Sequence, residues 1–236
     1  MKKTNTNGFT ILELMIATIV FAVIFMGATT AILQIAKLYY KGVVTNRTQE
    51  STRSVVDSIS QQIQFNDAPL LTPADVTYDV VQGPVSGTKM TFKAYCIGST
   101  RYTYAINAQV NDAVVQGQYQ PTTNRLRHGL WRDTVNPGPA ACIPANLSLA
   151  NPSTTSGAVG GQGVELLAEG MRLSNFALSC DDSRRCSVAV AILSGDNDLL
   201  EPNPQEAVPT NCATIIGNQW CAGSQLTTVV LKRVGE

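Results

Sequence analysis

Six cysteines, a single histidine, a short acidic run and one isolated glutamate are the side chains of this 236-residue sequence whose types and spacing suit chemistry. Cys96, Cys142, Cys180, Cys186, Cys212 and Cys221 all fall in the C-terminal two-thirds. None stands in C-x-x-C spacing, which disfavours zinc and favours disulfides in an oxidising compartment. Six cysteines allow fifteen pairings, and spacing alone does not choose among them. Cys180 and Cys186 flank a polar turn, Asp181 to Arg185, and are the first pair to expect. Cys212 and Cys221 would close a local loop, leaving Cys96 with Cys142.

His128 lies between Arg127 and Gly129 with no nucleophile motif beside it, and reads as an exposed strand residue, not a catalytic one. Asp196, Asp198 and Glu201 are the one candidate ligand group. Closely spaced carboxylate and amide oxygens suit calcium, but the EF-hand pattern is incomplete, and such a run is commonly a solvated turn. No other cofactor is expected. The glycine-rich stretch Gly157 to Gly163 lacks the lysine of a phosphate-binding loop. Lys+Arg and Asp+Glu balance at 17 each, which offers no basic footprint for a nucleic acid.

Glu13 is the most informative of these residues because of where it sits. Residues 1–8 are polar, carry Lys2 and Lys3, and end at Gly8; from Phe9 to Ala36 the only ionisable side chain is Glu13. A helix over that run would reach on the order of 40 Å, longer than the hydrocarbon core of a bilayer. It is also longer than the apolar core of a cleaved signal peptide, although Thr29 to Ala31 would serve as a poor cut site. A carboxylate near the start of a membrane span costs a few kcal/mol unless something compensates it. No Lys or Arg stands three or four positions away, so a charge partner must come from elsewhere, most naturally a second subunit.

Lys2-Lys3 followed by Gly8-Phe9-Thr10-Ile11-Leu12-Glu13-Leu14-Met15-Ile16-Ala17 resembles the cleavage and methylation motif of type IV prepilins. That resemblance implies cutting by a prepilin peptidase between Gly8 and Phe9, and N-methylation of Phe9. It implies that Glu13 then faces the N-terminal amine of a neighbouring subunit in a filament. The partners implied are other pilins or pseudopilins, the peptidase, an inner-membrane assembly platform, and membrane lipid before assembly. The implied location is the cytoplasmic membrane, crossed once with the head exported, and then a pilus or pseudopilus. Many major pilins carry a proline in the second half of the apolar run. Here none precedes Pro69, which is similar to minor pilins and pseudopilins.

Beyond the span, residues 37–66 turn polar but keep Val55, Val56, Ile59 and Ile63 in helical spacing, a narrow apolar stripe that should pack on a sheet. The run Asn66 to Pro69 should end that helix. Short β-type runs follow between turn clusters. Strands are expected at Val76–Val81, Lys89–Ile97, Arg101–Gln109, Ala113–Tyr119, Arg125–Arg132, Gly163–Ala168, Met171–Cys180, Arg185–Leu193 and Leu226–Val234. Val135 to Gly163 and Gly195 to Gly223 should be loops. The stretch Tyr119 to Asp133 resembles a hairpin of PilW-like minor pilins and J-type pseudopilins, and Thr228 to Arg233 resembles their closing strand.

The expected organisation is a leader (1–8), a transmembrane helix (9–36), its amphipathic continuation (37–67) and a disulfide-bearing β-rich head (68–236). The fold class is α+β, a long helix on an antiparallel sheet. The expected function is that of a minor pilin. A type II secretion pseudopilin and a membrane-anchored binding domain that never polymerises are the rivals, and an exported enzyme would need a site these residues do not supply.

Overall fold

The computed structural model describes residues 10–66, 70–71, 76–80, 88–110, 125–135, 142–147, 152, 163–181, 184–201, 211–214 and 217–233. Its first element is one unbroken 55-residue helix, α1 (Ile11–Phe65). At roughly 1.5 Å per residue it is about 80 Å long. The sequence permits this because no proline interrupts it, and Gly27 and Gly42 are the only glycines within it. Asn66 ends it in extended geometry and donates its side-chain amide to the carbonyl of Ile97 at 3.1 Å.

The strands are β1 (Leu70–Leu71), β2 (Val76–Val80), β3 (Thr88–Ile97), β4 (Thr100–Tyr104), β5 (Gln109–Val110), β6 (Arg125–Leu126) and β7 (Leu130–Thr134). They continue with β8 (Val164–Glu165), β9 (Met171–Cys180), β10 (Arg185–Ser194), β11 (Leu200–Glu201), β12 (Asn211–Cys212) and β13 (Ala222–Leu231). An antiparallel sheet runs β1-β3-β4-β7-β8, with β2 also on β3. A second antiparallel sheet runs β13-β10-β9. The architecture is α+β: one long apolar N-terminal helix, then antiparallel sheets.

α1 packs against β10 and β13, and its buried residues form one line: Thr48, Thr52, Val55, Val56, Ile59 and Ile63. The two threonines extend the apolar stripe because each hydroxyl donates to the carbonyl four residues back, Val44 and Thr48, so only methyl surface meets the core. Arg47, Glu50, Arg53, Asp57 and Gln61 are exposed. The stripe joins a core that contains residues of both large sheets, among them Tyr95, Tyr102, Leu130, Phe176, Val188 and Ile192. Tyr95, Tyr104 and Phe176 seal the junction, with Phe176 edge-on to the two stacked tyrosine rings at 5.5 and 4.7 Å.

Tyr102 is fully buried beneath α1, near Ser58, whose hydroxyl accepts from Arg132 at 2.8 Å. Burial pushes the Tyr102 hydroxyl up from 10.0 to about 12, against smaller opposing pulls from Ser58 and Arg132. The folded state holds this group neutral, so its contribution to stability is whole below pH 10.0 and is lost as the pH climbs towards about 12. Unfolding by denaturant across that range should show the wild type losing on the order of 2 kcal/mol more than Tyr102→Phe. Parallel profiles for the two proteins would contradict this.

Several expected strands are corrected by the structure. Arg101–Gln109 is not one strand: β4 stops at Tyr104, the chain turns through Asn107 at φ 59°, and Gln109–Val110 pairs in parallel with β6. Arg125–Arg132 is also broken, into β6 and β7, which belong to different sheets. The described part of the Tyr119 to Asp133 stretch is therefore not one arm of a simple hairpin. In the segment Gly163–Ala168 only Val164–Glu165 pairs, and Gly195–Gly223 is not all loop. Leu200 and Glu201 pair with Cys212 and Asn211, and β13 begins at Ala222, not Leu226. The expected strand Ala113–Tyr119 lies outside the described residues.

Candidate functional site

At the start of α1, Thr10 and Glu13 bind each other. The Thr10 hydroxyl accepts from the backbone N–H of Glu13 at 3.3 Å, while Glu13 Oε2 accepts from the backbone N–H and the hydroxyl of Thr10, both at 3.0 Å. This is a reciprocal cap: two N–H groups that a helix start leaves unpaired each find an oxygen. The sequence reading missed Thr10, although a threonine three positions before a glutamate at a helix start is the signature of such a cap. Gly8 and Phe9 lie outside the described residues.

Beyond Glu13 the helix offers an apolar surface on which none of the described residues packs. None of its most apolar window is buried. Leu14, Ile19, Phe21, Ile24, Phe25, Ile32 and Ile35 each expose more than half their surface. Its few hydroxyls are internally satisfied: Thr18, Thr29 and Thr30 donate to the carbonyls of Met15, Phe25 and Gly27 at 2.8–2.9 Å. The backbone and these hydroxyls thus suit a hydrocarbon environment, and the one exposed amide, Gln34, stands near the far end of the run. Such a surface needs lipid or other helices around it.

Residues 3–29 match the model of the prokaryotic N-terminal methylation motif. The N-terminal segment carries the methylation motif characteristic of type IV prepilins. No curated protein and no solved structure matches the chain. A prepilin segment implies cleavage by a prepilin peptidase and assembly with other pilins, and it fits, together with the apolar helix, a membrane-anchored pilin-like protein. Proteins of this kind are typically structural and not enzymatic.

In the head, Cys180 and Cys186 face each other across the β9–β10 ladder with Cα atoms 4.0 Å apart, and are joined. Cys212 is joined to Cys221, and Cys96 to Cys142. The last bond ties the irregular segment 142–147 to β3, and Arg101 and Thr103 hold the same segment. Arg101 donates to the Ile143 carbonyl and the Thr103 hydroxyl accepts from the Ala145 N–H.

The other sequence candidates sit differently from expectation. His128 is not exposed: its ring lies against Trp131 at 4.4 Å, its side chain is 16% accessible, and Nδ1 is 3.4 Å from Glu165. Glu165 accepts the backbone N–H groups of Gly129, Leu130 and Leu167, which makes it the staple of the bend that separates β6 from β7. The residues of the calcium candidate lie in and just beyond the turn that follows β10. Asp196, Asp198 and Glu201 are exposed, and among the described residues no group of three acidic or other metal-ligating side chains converges. The nearby oxygens already hold a cation of the chain itself. The buried Arg172 guanidinium donates to Asn197 Oδ1 at 2.6 Å, to Asn107 Oδ1 at 3.1 Å and to the Gly195 carbonyl at 3.0 Å. Asp196 accepts from the Gln109 amide at 3.3 Å.

Proposed function

We propose that this chain is a minor pilin, a subunit recruited into a type IV pilus-like filament after its leader is removed. The observation that carries this reading is the methylation motif at residues 3–29 joined to an apolar half-helix that none of the described residues covers. Cleavage falls between Gly8 and Phe9, and Phe9 becomes the methylated first residue. Residues 9–36 lie in the cytoplasmic membrane, residues 37–67 carry the helix into the exported head, and residues 68–236 form that head. On assembly the apolar helix exchanges lipid for neighbouring helices. Glu13, near the new N-terminus, exchanges its bond to Thr10 for the amine of a neighbour. Pairing a carboxylate with an ammonium offsets the desolvation of both. The assembly platform of the inner membrane supplies the place where this exchange occurs.

The lack of any proline within the 55-residue α1 supports a minor subunit over a major one, and supports a type II secretion pseudopilin equally. Adhesion, motility or DNA uptake would be the filament's task in the first case, and protein secretion in the second.

Intact mass and N-terminal sequencing of the protein from its native membranes test the reading directly. The expected product begins at N-methylated Phe9. A chain still beginning at Met1, in cells with an active prepilin peptidase, would leave an anchored domain that does not polymerise.

A further inference from the structure

Where the apolar run ends, the head returns to touch the helix. Lys41 Nζ donates to the carbonyls of Cys221 at 2.6 Å and Asn218 at 3.2 Å, so it caps the short 3-10 turn Asn218–Trp220. Tyr40 packs on Trp220 with ring centroids 4.6 Å apart, and Tyr39 is edge-on to Tyr40 at 6.0 Å. The Cys212–Cys221 bond closes the loop that carries Trp220. The result is a docked, cross-linked loop that should hold a large ring in place, yet Trp220 and Tyr40 are 47% and 45% exposed, and Tyr39 is 69% exposed. Lys37 stands one turn before Lys41 on the same helix, also exposed.

We propose that Tyr39, Tyr40 and Trp220 form an aromatic collar that seats the head on the headgroup layer of the bilayer; this rests on reading the first half of α1 as a membrane span. Helix length places the collar there. With Thr10 and Glu13 in the cytoplasmic headgroup layer, Leu14 to Ala36 covers about 35 Å, which crosses a core of about 30 Å at a tilt of about 30°. Tyr39 and Tyr40 then fall about 5 Å beyond the hydrocarbon, inside an interfacial layer of similar thickness. Trp220 stacks on Tyr40 and shares its depth. Amphipathic rings favour this layer, and the exposed Lys37 beside them reaches the phosphates while Lys41 holds the Trp220 turn. A bilayer is continuous with the apolar surface directly below the collar, which favours it over a protein partner. The collar fixes the depth and tilt at which a subunit waits before assembly, and it must leave the lipid when the subunit is drawn into a filament.

Brominated-lipid quenching of tryptophan emission tests this with the full chain in phosphatidylcholine–phosphatidylglycerol vesicles. Trp131 is buried and present in both proteins, so the difference between wild type and Trp220→Phe isolates Trp220. Phosphatidylcholine brominated high on its acyl chains is expected to at least roughly halve the Trp220 signal, and bromines near the chain ends to leave it almost unchanged. In the Trp220→Phe background, Phe25→Trp places a probe at mid-span and should show the opposite depth preference. If Phe25→Trp is quenched by deep bromines and Trp220 by none, the collar proposal is overturned alone, and the face belongs to contacts between subunits. If Phe25→Trp is unquenched as well, the membrane span fails and takes the collar with it.

Discussion

A chain carrying Glu13→Ala is expected to reach the membrane at wild-type level and to be depleted from filaments by on the order of ten-fold or more. The two halves of that result have different physical origins. In the single subunit Glu13 binds, among the described residues, Thr10 alone, in an exposed cap at one end of a 55-residue helix. Loss of that cap costs about 1 kcal/mol and frays the first turn, which leaves the head and its packing on residues 48–63 untouched. In a filament the same carboxylate would meet an N-terminal amine in a surrounding of packed apolar helices. Removing one member of such a pair leaves the other as an uncompensated charge, a penalty of roughly 3–5 kcal/mol. Glu13→Gln separates the two effects, because the amide retains the oxygen that caps Thr10 and loses the charge. Incorporation measured by immunoblot of sheared filaments should be nearly as poor for Gln as for Ala. Wild-type incorporation of Glu13→Ala would refute the pairing, and rescue by Gln alone would reduce Glu13 to a helix cap.

The parts of this molecule legible in its sequence are those in which one periodicity runs uninterrupted. The helix could be read because its apolar run and the stripe at Val55, Val56, Ile59 and Ile63 need no knowledge of distant partners. The long strands β3, β9 and β10 were readable for the same reason, each being a ten-residue run bounded by turn residues. The cysteine pairs with short spacing could be guessed, since a tight turn brings its flanks together whatever surrounds it. What escaped was decided at a distance. The bend at His128 depends on Glu165, some 35 residues later, whose carboxylate takes two successive N–H groups that would otherwise have stayed in a strand. The turn after Tyr104 depends on Asn107, whose left-handed backbone and side-chain bond to Arg172 have no local signal beyond an asparagine. Around Asp196 the sequence shows a run of oxygens but not the Arg172 guanidinium that comes from β9 to Asn197 and the Gly195 carbonyl. Thr10 was a different failure. Its cap is written locally, three positions before Glu13, and needs no distant partner.

Asp133→Ala is expected to be the most damaging single change in the head, lowering stability by roughly 3–5 kcal/mol and the melting temperature by about 10 °C. Asp133 and Arg101 are cross-strand neighbours on β7 and β4, 3% exposed each, and the guanidinium meets both carboxylate oxygens, with Nε to Oδ1 at 2.9 Å. The third guanidinium contact is the Ile143 carbonyl, at 2.9 Å. Arg101 also lies directly opposite Cys96 on β3, and Cys96 is bonded to Cys142. One buried charge pair and one disulfide therefore act on adjacent residues, 142 and 143, and together pin a segment with no ladder of its own to the sheet. Removing the carboxylate leaves a buried cation with a single carbonyl, so Arg101 must either drag water inward or pull away from Ile143. Because the penalty arises from the stranded charge, it should be relieved when both charges go. The double variant Arg101→Met/Asp133→Leu should recover at least about half of the loss. Thermal unfolding of the full chain in detergent, followed by near-ultraviolet circular dichroism, measures both proteins. A single variant within about 1 kcal/mol of wild type would mean that the pair is dispensable and that the disulfide alone holds the segment.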